Sequence, residues 1–124
     1  MKARVLSLAV LAGSALLAGC TPNLAPVKGH VTCNGKPVAE AQITFNPVAK
    51  NEGDLEAGKP ATGFTDAEGN FVLSTFRAND GALIGQHHVS VFLDNTNPAR
   101  CTREKQFTWE VKPGSNEVEI ELNQ

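Results

Sequence analysis

Hydrophobic and polar residues alternate with a period of two along much of the chain beyond residue 26. The alternation is strictest near the C-terminus, where glutamates separate Val118, Ile120 and Leu122, and a similar run covers residues 106–112. A period of two sends successive side chains to opposite faces of a strand, which leaves one face buried and one solvated. The pattern therefore predicts antiparallel strands.

Turn residues divide this pattern into seven predicted strands. The predicted strands cover residues 27–33, 41–46, 61–65, 70–76, 86–94, 106–112 and 117–122. Asn34-Gly35 ends the first strand and is a strong hairpin signal, because both residues accept a positive φ at little cost. Residues 113–116, Pro-Gly-Ser-Asn, are predicted to turn the chain between the last two strands as a hairpin. Seven short strands separated by turns predict an all-β fold, a seven-stranded antiparallel β-sandwich.

The first twenty residues have a different composition. A basic start, residues 1–4, precedes an apolar run over residues 5–17, which is the layout of a secretory signal peptide. This run is shorter than the ~20 apolar residues that span a bilayer. Residues 17–20, Leu-Ala-Gly-Cys, resemble the bacterial lipobox, which implies cleavage before Cys20 and acylation of its thiol, with palmitate among the acyl groups expected. An ordinary signal peptide with a chance cysteine is the alternative.

The predicted organisation is a signal peptide over residues 1–19, a lipidated tether over 20–26 and one domain over 27–124. Removal of the signal leaves 105 of the 124 residues, which is enough for one domain of common size. It also removes two basic residues, so nine Lys and Arg face 13 Asp and Glu, a net charge of −4. No basic stripe for nucleic acid is expected on such a chain.

Two cysteines are left once Cys20 is acylated, namely Cys33 and Cys101. An even number of cysteines in a small exported domain favours a disulfide between them, because the compartment outside the inner membrane permits disulfides. Two buried free thiols, or less readily a metal-binding pair, are the alternatives.

Three segments resemble carboxypeptidase regulatory-like domains. Residues 27–41 contain a strand, a Gly-Lys-Pro turn and the start of a second strand; residues 60–71 contain a Thr-Asp-x-x-Gly-x-Phe hairpin; residues 85–91 match a later Gly-x-His-x-Val segment. The resemblance implies a prealbumin-like (transthyretin-like) β-sandwich. It further implies a lone lipoprotein domain of undefined role or an accessory module, since members of that family occur in both forms.

An acidic turn, containing Asp66, Glu68 and Asn70, is the one segment with a calcium-like composition. Its spacing lacks the later bidentate glutamate and the length of an EF-hand loop, so turn formation is the preferred interpretation.

The three histidines do not predict a metal site. His87 and His88 are adjacent on one predicted strand and point to opposite faces, and His30 would need a further, unidentified ligand. We therefore predict no metal and no cofactor.

Known catalytic patterns are missing from the sequence. There is no G-x-S-x-G elbow and no phosphate-binding glycine loop. Intradiol dioxygenases bind iron through tyrosines, and this chain has none; hydroxyisourate hydrolases end in Tyr-Arg-Gly-Ser, where this chain has Glu-Leu-Asn-Gln. Glu117, Glu119 and Glu121 are interpreted as the solvated face of the last strand. The chain is predicted not to be an enzyme.

Two functions of different classes stay open. The favoured one is a structural or protein-interaction module at the cell envelope, anchored to the membrane through Cys20, with loops 47–59 and 95–105 as contact regions. The alternative is a carbohydrate- or small-ligand-binding module, for which Phe64, Phe92 and Trp109 are the candidate aromatic residues. The envelope partner would then be a protein or a cell-wall glycan. Thr21, in place of an aspartate after Cys20, favours the outer membrane.

Overall fold

The computed structural model describes residues 23–49, 58–94, 101 and 104–123. These residues form strands, turns and bends, and no helix occurs among them. The predicted signal peptide and Cys20 lie outside the described residues. The strands are β1 Leu24–Ala25, β2 Val27–Cys33, β3 Lys36–Pro37, β4 Gln42–Pro47, β5 Ala61–Phe64, β6 Asn70–Val72, β7 Ala82–Leu83, β8 Gly85–Phe92, β9 Glu104–Val111 and β10 Asn116–Leu122.

All seven predicted strands are present in this set. They correspond to β2, β4, β5, β6, β8, β9 and β10, and the three strands that were not predicted are two residues long. Such short strands carry too few residues to show a period, so their pairing was invisible in the sequence. The all-β prediction is confirmed.

The first sheet has β2 at its centre. Strand β10 pairs with one side of β2, and both β3 and β6 pair with β2 as well. The β10–β2 pair is parallel, with Asn116 opposite Val27 and Leu122 opposite Cys33. The prediction of a wholly antiparallel sandwich is therefore wrong at this pair, because β10 begins beside the start of β2: the Asn116 N–H donates to the Pro26 carbonyl at 3.0 Å.

The second sheet has the order β5-β4-β8-β9 and is antiparallel throughout. Buried and more exposed residues alternate along β8, as the sequence pattern predicts for a strand with one face on a core. Strands β1 and β7 form a third, two-stranded antiparallel sheet, and neither strand pairs with the two larger sheets.

The inner faces of both four-stranded sheets contribute to one hydrophobic core. Its buried residues come from β2 and β10 of the first sheet and from β4 and β8 of the second, which gives a sandwich-like arrangement. The largest fully buried hydrophobic side chains are Phe45, Ile43, Leu73, Leu93, Ile120 and Leu122.

The Asn34-Gly35 turn forms as predicted, with φ of 51° and 84° at its two residues. It joins β2 to the short β3, with Cys33 opposite Lys36. The predicted strand 41–46, which is the next along the chain, forms no hairpin with β2 and lies in the second sheet as β4. The chain changes sheets between β3 and β4, where Glu40 adopts a φ of 59°.

The predicted hairpin between the last two strands is wrong. Strand β9 pairs with β8 in the second sheet and β10 pairs with β2 in the first. The turn residues 113–116 therefore carry the chain across the sandwich, and both strands still show strict alternation because each buries one face on the same core.

Candidate recognition surface

The outer face of the second sheet carries two exposed phenylalanines in one row. Phe64 on β5 and Phe92 on β8 both lie opposite Gln42 on the intervening strand β4. Phe64 is 64% exposed and Phe92 is 55% exposed. Since adjacent strands are ~4.8 Å apart, the Cα atoms of the two phenylalanines are about 10 Å apart on one face, with the Gln42 amide between them. We call these three residues the aromatic row.

The next rows of this face are polar and uncharged at their centre. Thr62, Thr44 and Ser90 follow the aromatic row in register, and Asn46 and His88 follow them. The charged residues of this face that the structure describes lie on the edge strand β9. The centre of the face therefore offers hydroxyl, amide and imidazole groups, with aromatic rings at one end.

The outer face of the first sheet is charged. Lys28 Nζ lies 3.2 Å from Glu117 Oε1, and His30 Nδ1 lies 3.4 Å from Glu119 Oε2. These four residues, with Asn70, Phe71 and others, line a groove of about 370 Å³. Lys28 and Glu117 already pair with one another, and an exposed ion pair of this kind contributes little to stability.

The predicted acidic row is exposed as expected. Glu117, Glu119 and Glu121 all point out of β10, while the residues between them are buried. The row is the solvated side of an edge strand, and charges in this position discourage edge-to-edge pairing.

The acidic turn is held by the Asp66 side chain, which accepts hydrogen bonds from the backbone of the same turn. Asp66 Oδ1 accepts the N–H groups of Glu68 and Asn70, both at 2.9 Å. Gly69 at φ 82° closes the turn, and its N–H donates to the Asp66 carbonyl at 3.0 Å. This geometry is that of an Asx-type turn, which supports the preferred interpretation.

The histidines are spread over the molecule. His87 is buried, its Nε2 lies 2.6 Å from the Leu83 carbonyl oxygen, and its Nδ1 has no hydrogen-bond partner among the residues that the structure describes. His88 is exposed on the opposite face, and His30 lies in the other sheet, where its Nε2 lies 2.9 Å from the Glu68 carbonyl oxygen. No cluster of three or more metal-ligating side chains occurs in the part of the chain that the structure describes.

The predicted disulfide between Cys33 and Cys101 is present in the structure. Their Cα atoms are 6.1 Å apart, both residues are buried, and the bond links positions 68 apart in sequence. It connects the end of β2 in the first sheet to Cys101, which precedes β9 of the second sheet by three positions in the chain.

The third candidate aromatic residue lies elsewhere. Trp109 on β9 points to the core side, where its ring packs edge-on against Phe45 with 5.9 Å between centroids. It therefore takes no part in the aromatic row. Sequence patterning had already placed it on the apolar face of its strand.

A third exposed phenylalanine was not singled out from the sequence. Phe76 is 52% exposed, and Lys59 Nζ lies 5.2 Å from its ring centroid. It lies in a bend beyond the end of β6, yet within the predicted strand 70–76, where alternation with the buried Phe71 and Leu73 already points it toward solvent. Most of the two predicted contact loops, residues 50–57, 95–100 and 102–103, lies outside the described residues.

A comparison with solved structures gives the fold a neighbour. The crystal structure of a DUF3823 family protein from Parabacteroides merdae ATCC 43184 is similar to this chain, with a TM-score of 0.55 and 16% sequence identity. The match covers 82% of this chain and 47% of that one, so the chain spans less than half of that protein. At this identity the likeness concerns the β-rich fold alone. No protein-family model matches the sequence, and no curated protein matches it.

Within residues 23–49, 58–94, 101 and 104–123, no helix has the length and apolar character needed to cross a bilayer.

Proposed function

We propose that the protein is a non-catalytic recognition module held at the cell envelope by lipid on Cys20. The observation that carries the recognition role is the aromatic row, two exposed phenylalanines on either side of an amide on the outer face of one sheet. Large exposed apolar side chains grouped on one face are typical of interaction sites.

The anchoring part of the proposal rests on the sequence. A basic start, a short apolar run and a Leu-Ala-Gly-Cys segment precede the β-rich domain by only a few residues. The domain begins with β1 at Leu24, so the tether after Cys20 is short. The lipid would hold the domain close to the bilayer, with the outer membrane as the favoured site.

Cys20→Ser tests the anchor directly. We expect the unchanged protein to incorporate labelled palmitate in a lipoprotein-processing bacterium and to fractionate with membranes. The variant should lose both properties. Label incorporation that persists in the variant would contradict acylation at Cys20.

We also propose that the fold is a prealbumin-like β-sandwich. A β2-centred sheet that includes a parallel β10 pair packs on a β5-β4-β8-β9 sheet, and this arrangement is compatible with a prealbumin-like sandwich of the carboxypeptidase regulatory-like kind. The likeness to a solved β-rich structure supports this assignment. An experimental structure in which the two sheets do not pack face to face would contradict it.

A protein partner is the favoured ligand class. The aromatic row lies on an open sheet face, and a groove of about 370 Å³ lies on the outer face of the other sheet. Open faces with aromatic anchors suit protein partners, in which phenyl rings bury large areas at low cost in side-chain entropy. Glu104 lies opposite Phe92, but the strands β5, β4 and β8 place no Asp, Glu, Lys or Arg on this face, so a partner there would have few charges to desolvate.

A carbohydrate is the second candidate, and one observation favours it. Thr62, Thr44 and Ser90 form an uncharged hydroxyl row directly beside the aromatic row. Aromatic rings that flank hydrogen-bonding groups also suit the apolar and polar faces of a neutral sugar chain. Glycans from the cell wall are therefore the alternative ligands.

The double variant Phe64→Ala/Phe92→Ala tests the recognition surface. Both side chains are exposed, so their removal should leave the fold intact while binding falls. Phe76→Ala is the matched control, because it removes an exposed phenylalanine that is not part of the aromatic row. The measurement is cross-linking in living cells, followed by recovery of the full-length protein and identification of what is attached.

The outcomes separate the two ligand classes. A defined protein recovered with the unchanged chain and the Phe76 variant, and lost with the double variant, supports the favoured proposal. Glycan fragments that are recovered with the unchanged chain and the Phe76 variant, and lost with the double variant, would support the carbohydrate alternative. Recovery that is equal for all three chains would show that the aromatic row is not the recognition surface.

A further inference from the structure

The second sheet ends in a long strand whose outer edge is unpaired. All eight residues of β9 pair with β8, and no described strand pairs with the other side of β9. The pairing with β8 is continuous from Glu104 to Val111, without a bulge or a proline. An edge of this length is a template for another strand.

The direction of the backbone groups along this edge follows from the neighbouring strands. The Gln86 carbonyl accepts the N–H of Val48, so the backbone groups of Gln86 face away from β9. Its partner on β9, Glu110, therefore also directs its N–H and C=O away from β8. Because this direction alternates, the even-numbered residues of β9 present their N–H and C=O groups to the open edge.

The edge strands β10 and β9 differ. Strand β10 points three glutamates outward in succession, which disfavours pairing with a like edge. On β9, Phe107 and Trp109 point toward the core but are only partly buried there. An added strand at this edge would cover the exposed part of both rings.

We propose that a second copy of this chain pairs with β9, strand against strand, across a two-fold axis at Thr108. In this register Phe107 lies opposite Trp109 of the second copy. The Glu104 side chain lies beside that of Lys112, one residue beyond β9, whose backbone N–H and C=O already pair with the Asn116 side chain. Each contact occurs twice because the interface is symmetric. The two second sheets would become one continuous eight-stranded sheet.

Charge selects this register over its neighbours. With the axis at Phe107, Glu104 would face Glu110 of the second copy twice, and like charges directly opposite are destabilising. With the axis at Trp109, Glu104 would lie opposite Gly114 and lose its cationic partner. The axis at Thr108 pairs opposite charges and also places the aromatic rings opposite each other, in the narrow pairs where side chains approach most closely.

The self-association of the full-length protein in detergent solution tests this interface. Sedimentation should show a reversible dimer for the unchanged chain. Glu104→Lys and Lys112→Glu should each weaken dimerisation about tenfold, because each turns two attractive pairs into repulsive ones. The double variant exchanges the charges and should restore the dimer.

The charge exchange also controls for folding, since two exposed substitutions that each unfold the chain would not rescue one another. A monomer at every accessible protein concentration would overturn the proposal. A dimer whose strength is the same in all four chains would also overturn it, because its interface would then lie elsewhere.

Cysteine cross-linking tests the register itself. In the proposed dimer the two Thr108 residues form a hydrogen-bonded pair with Cα atoms about 5.5 Å apart, within reach of a disulfide. The two Gln106 residues would be about 13 Å apart along the strands. Mild oxidation should cross-link the Thr108→Cys chain and not the Gln106→Cys chain, with the unchanged protein as the background control. The reverse result would overturn the axis at Thr108.

Discussion

At the scale of single residues, one carboxylate organises the turn that follows β6. Asp80 accepts backbone N–H groups from Thr75 at 2.7 Å, Arg77 at 2.8 Å and Phe76 at 3.0 Å. Burial acts to raise the pKa of Asp80, but the hydrogen bonds from these three residues together outweigh it and lower the pKa below its usual value. The charged carboxylate is therefore the form that stabilises the turn.

Asp80→Asn should destabilise the fold at about pH 7, because the amide offers one acceptor oxygen, without charge, in place of two. A lowered folded-state pKa contributes stability that is present above the unfolded value of about 3.9 and is lost as the pH falls through the folded value. The difference in urea midpoint between the unchanged chain and the variant should therefore shrink from about pH 7 to about pH 2.

Glu121→Gln is the control for this measurement, since it removes one negative charge from an exposed position. A gap between the Asp80 variant and the unchanged chain that stays constant with pH would show that the charge of Asp80 does not matter.

At the scale of elements, the crossing from β9 to β10 depends on one buried asparagine. The Asn116 amide nitrogen donates to the carbonyls of Lys112 at 2.8 Å, Gly114 at 3.1 Å and Pro26 at 3.2 Å, and its Oδ1 accepts the Lys112 N–H at 2.9 Å. This side chain holds the turn and also the start of β2. It therefore helps direct the chain into the first sheet, where a hairpin would have kept it in the second.

Asn116→Asp should destabilise the protein by roughly 2 kcal/mol or more at neutral pH, because a carboxylate oxygen would replace the amide donor beside three carbonyl oxygens. Protonation restores one donor, so the loss should be smaller at about pH 4 than at about pH 7. Thermal unfolding at both pH values measures the effect.

Asn34→Asp is the matched control, because Asn34 is exposed and aspartate tolerates its positive φ of 51°. An Asn116 variant as stable as this control at neutral pH would contradict the role assigned to the Asn116 side chain.

At the scale of the whole molecule, the two sheets share one core, and one covalent bond links Cys33 to Cys101. Closing a loop between positions 68 apart restricts the unfolded chain and should contribute about 4 kcal/mol in the chain-entropy account. Cys33→Ala/Cys101→Ala should lower the free energy of unfolding by an amount of this order, measured by urea denaturation.

Reduction of the unchanged protein provides the comparison for that variant. Reduced and substituted chains should unfold at similar urea concentrations, both below the oxidised chain. Equal midpoints for all three would mean that the disulfide adds nothing to the stability of the fold.

The local pattern was sufficient to predict the strands and the buried faces. Alternation along β8, β9 and β10 predicted which side chains are buried, because burial on one core imposes a period of two whatever strand lies beside it. It also allowed the placement of Trp109 on the apolar face and of the three glutamates in solvent. The disulfide was predictable from the count of cysteines in a chain with a predicted export signal.

Strand partners could not be predicted in the same way. Alternation is identical whether β10 continues as a hairpin beside β9 or crosses to pair with β2, so the pattern carries no information on the choice. The choice depends on contacts between distant residues, such as Asn116 with Pro26, which local periodicity cannot reveal. The parallel pair was missed for this reason.

The aromatic row was likewise predictable from the sequence only in part. The sequence by itself determined that Phe64 and Phe92 are aromatic residues in strands, that the chain is all-β and that Cys33 and Cys101 are available to pair. Only the tertiary structure decided that both phenylalanines lie opposite Gln42 on one face and that Trp109 faces the core. Side-chain type and period are local properties, whereas register between strands is set by packing of the whole sandwich.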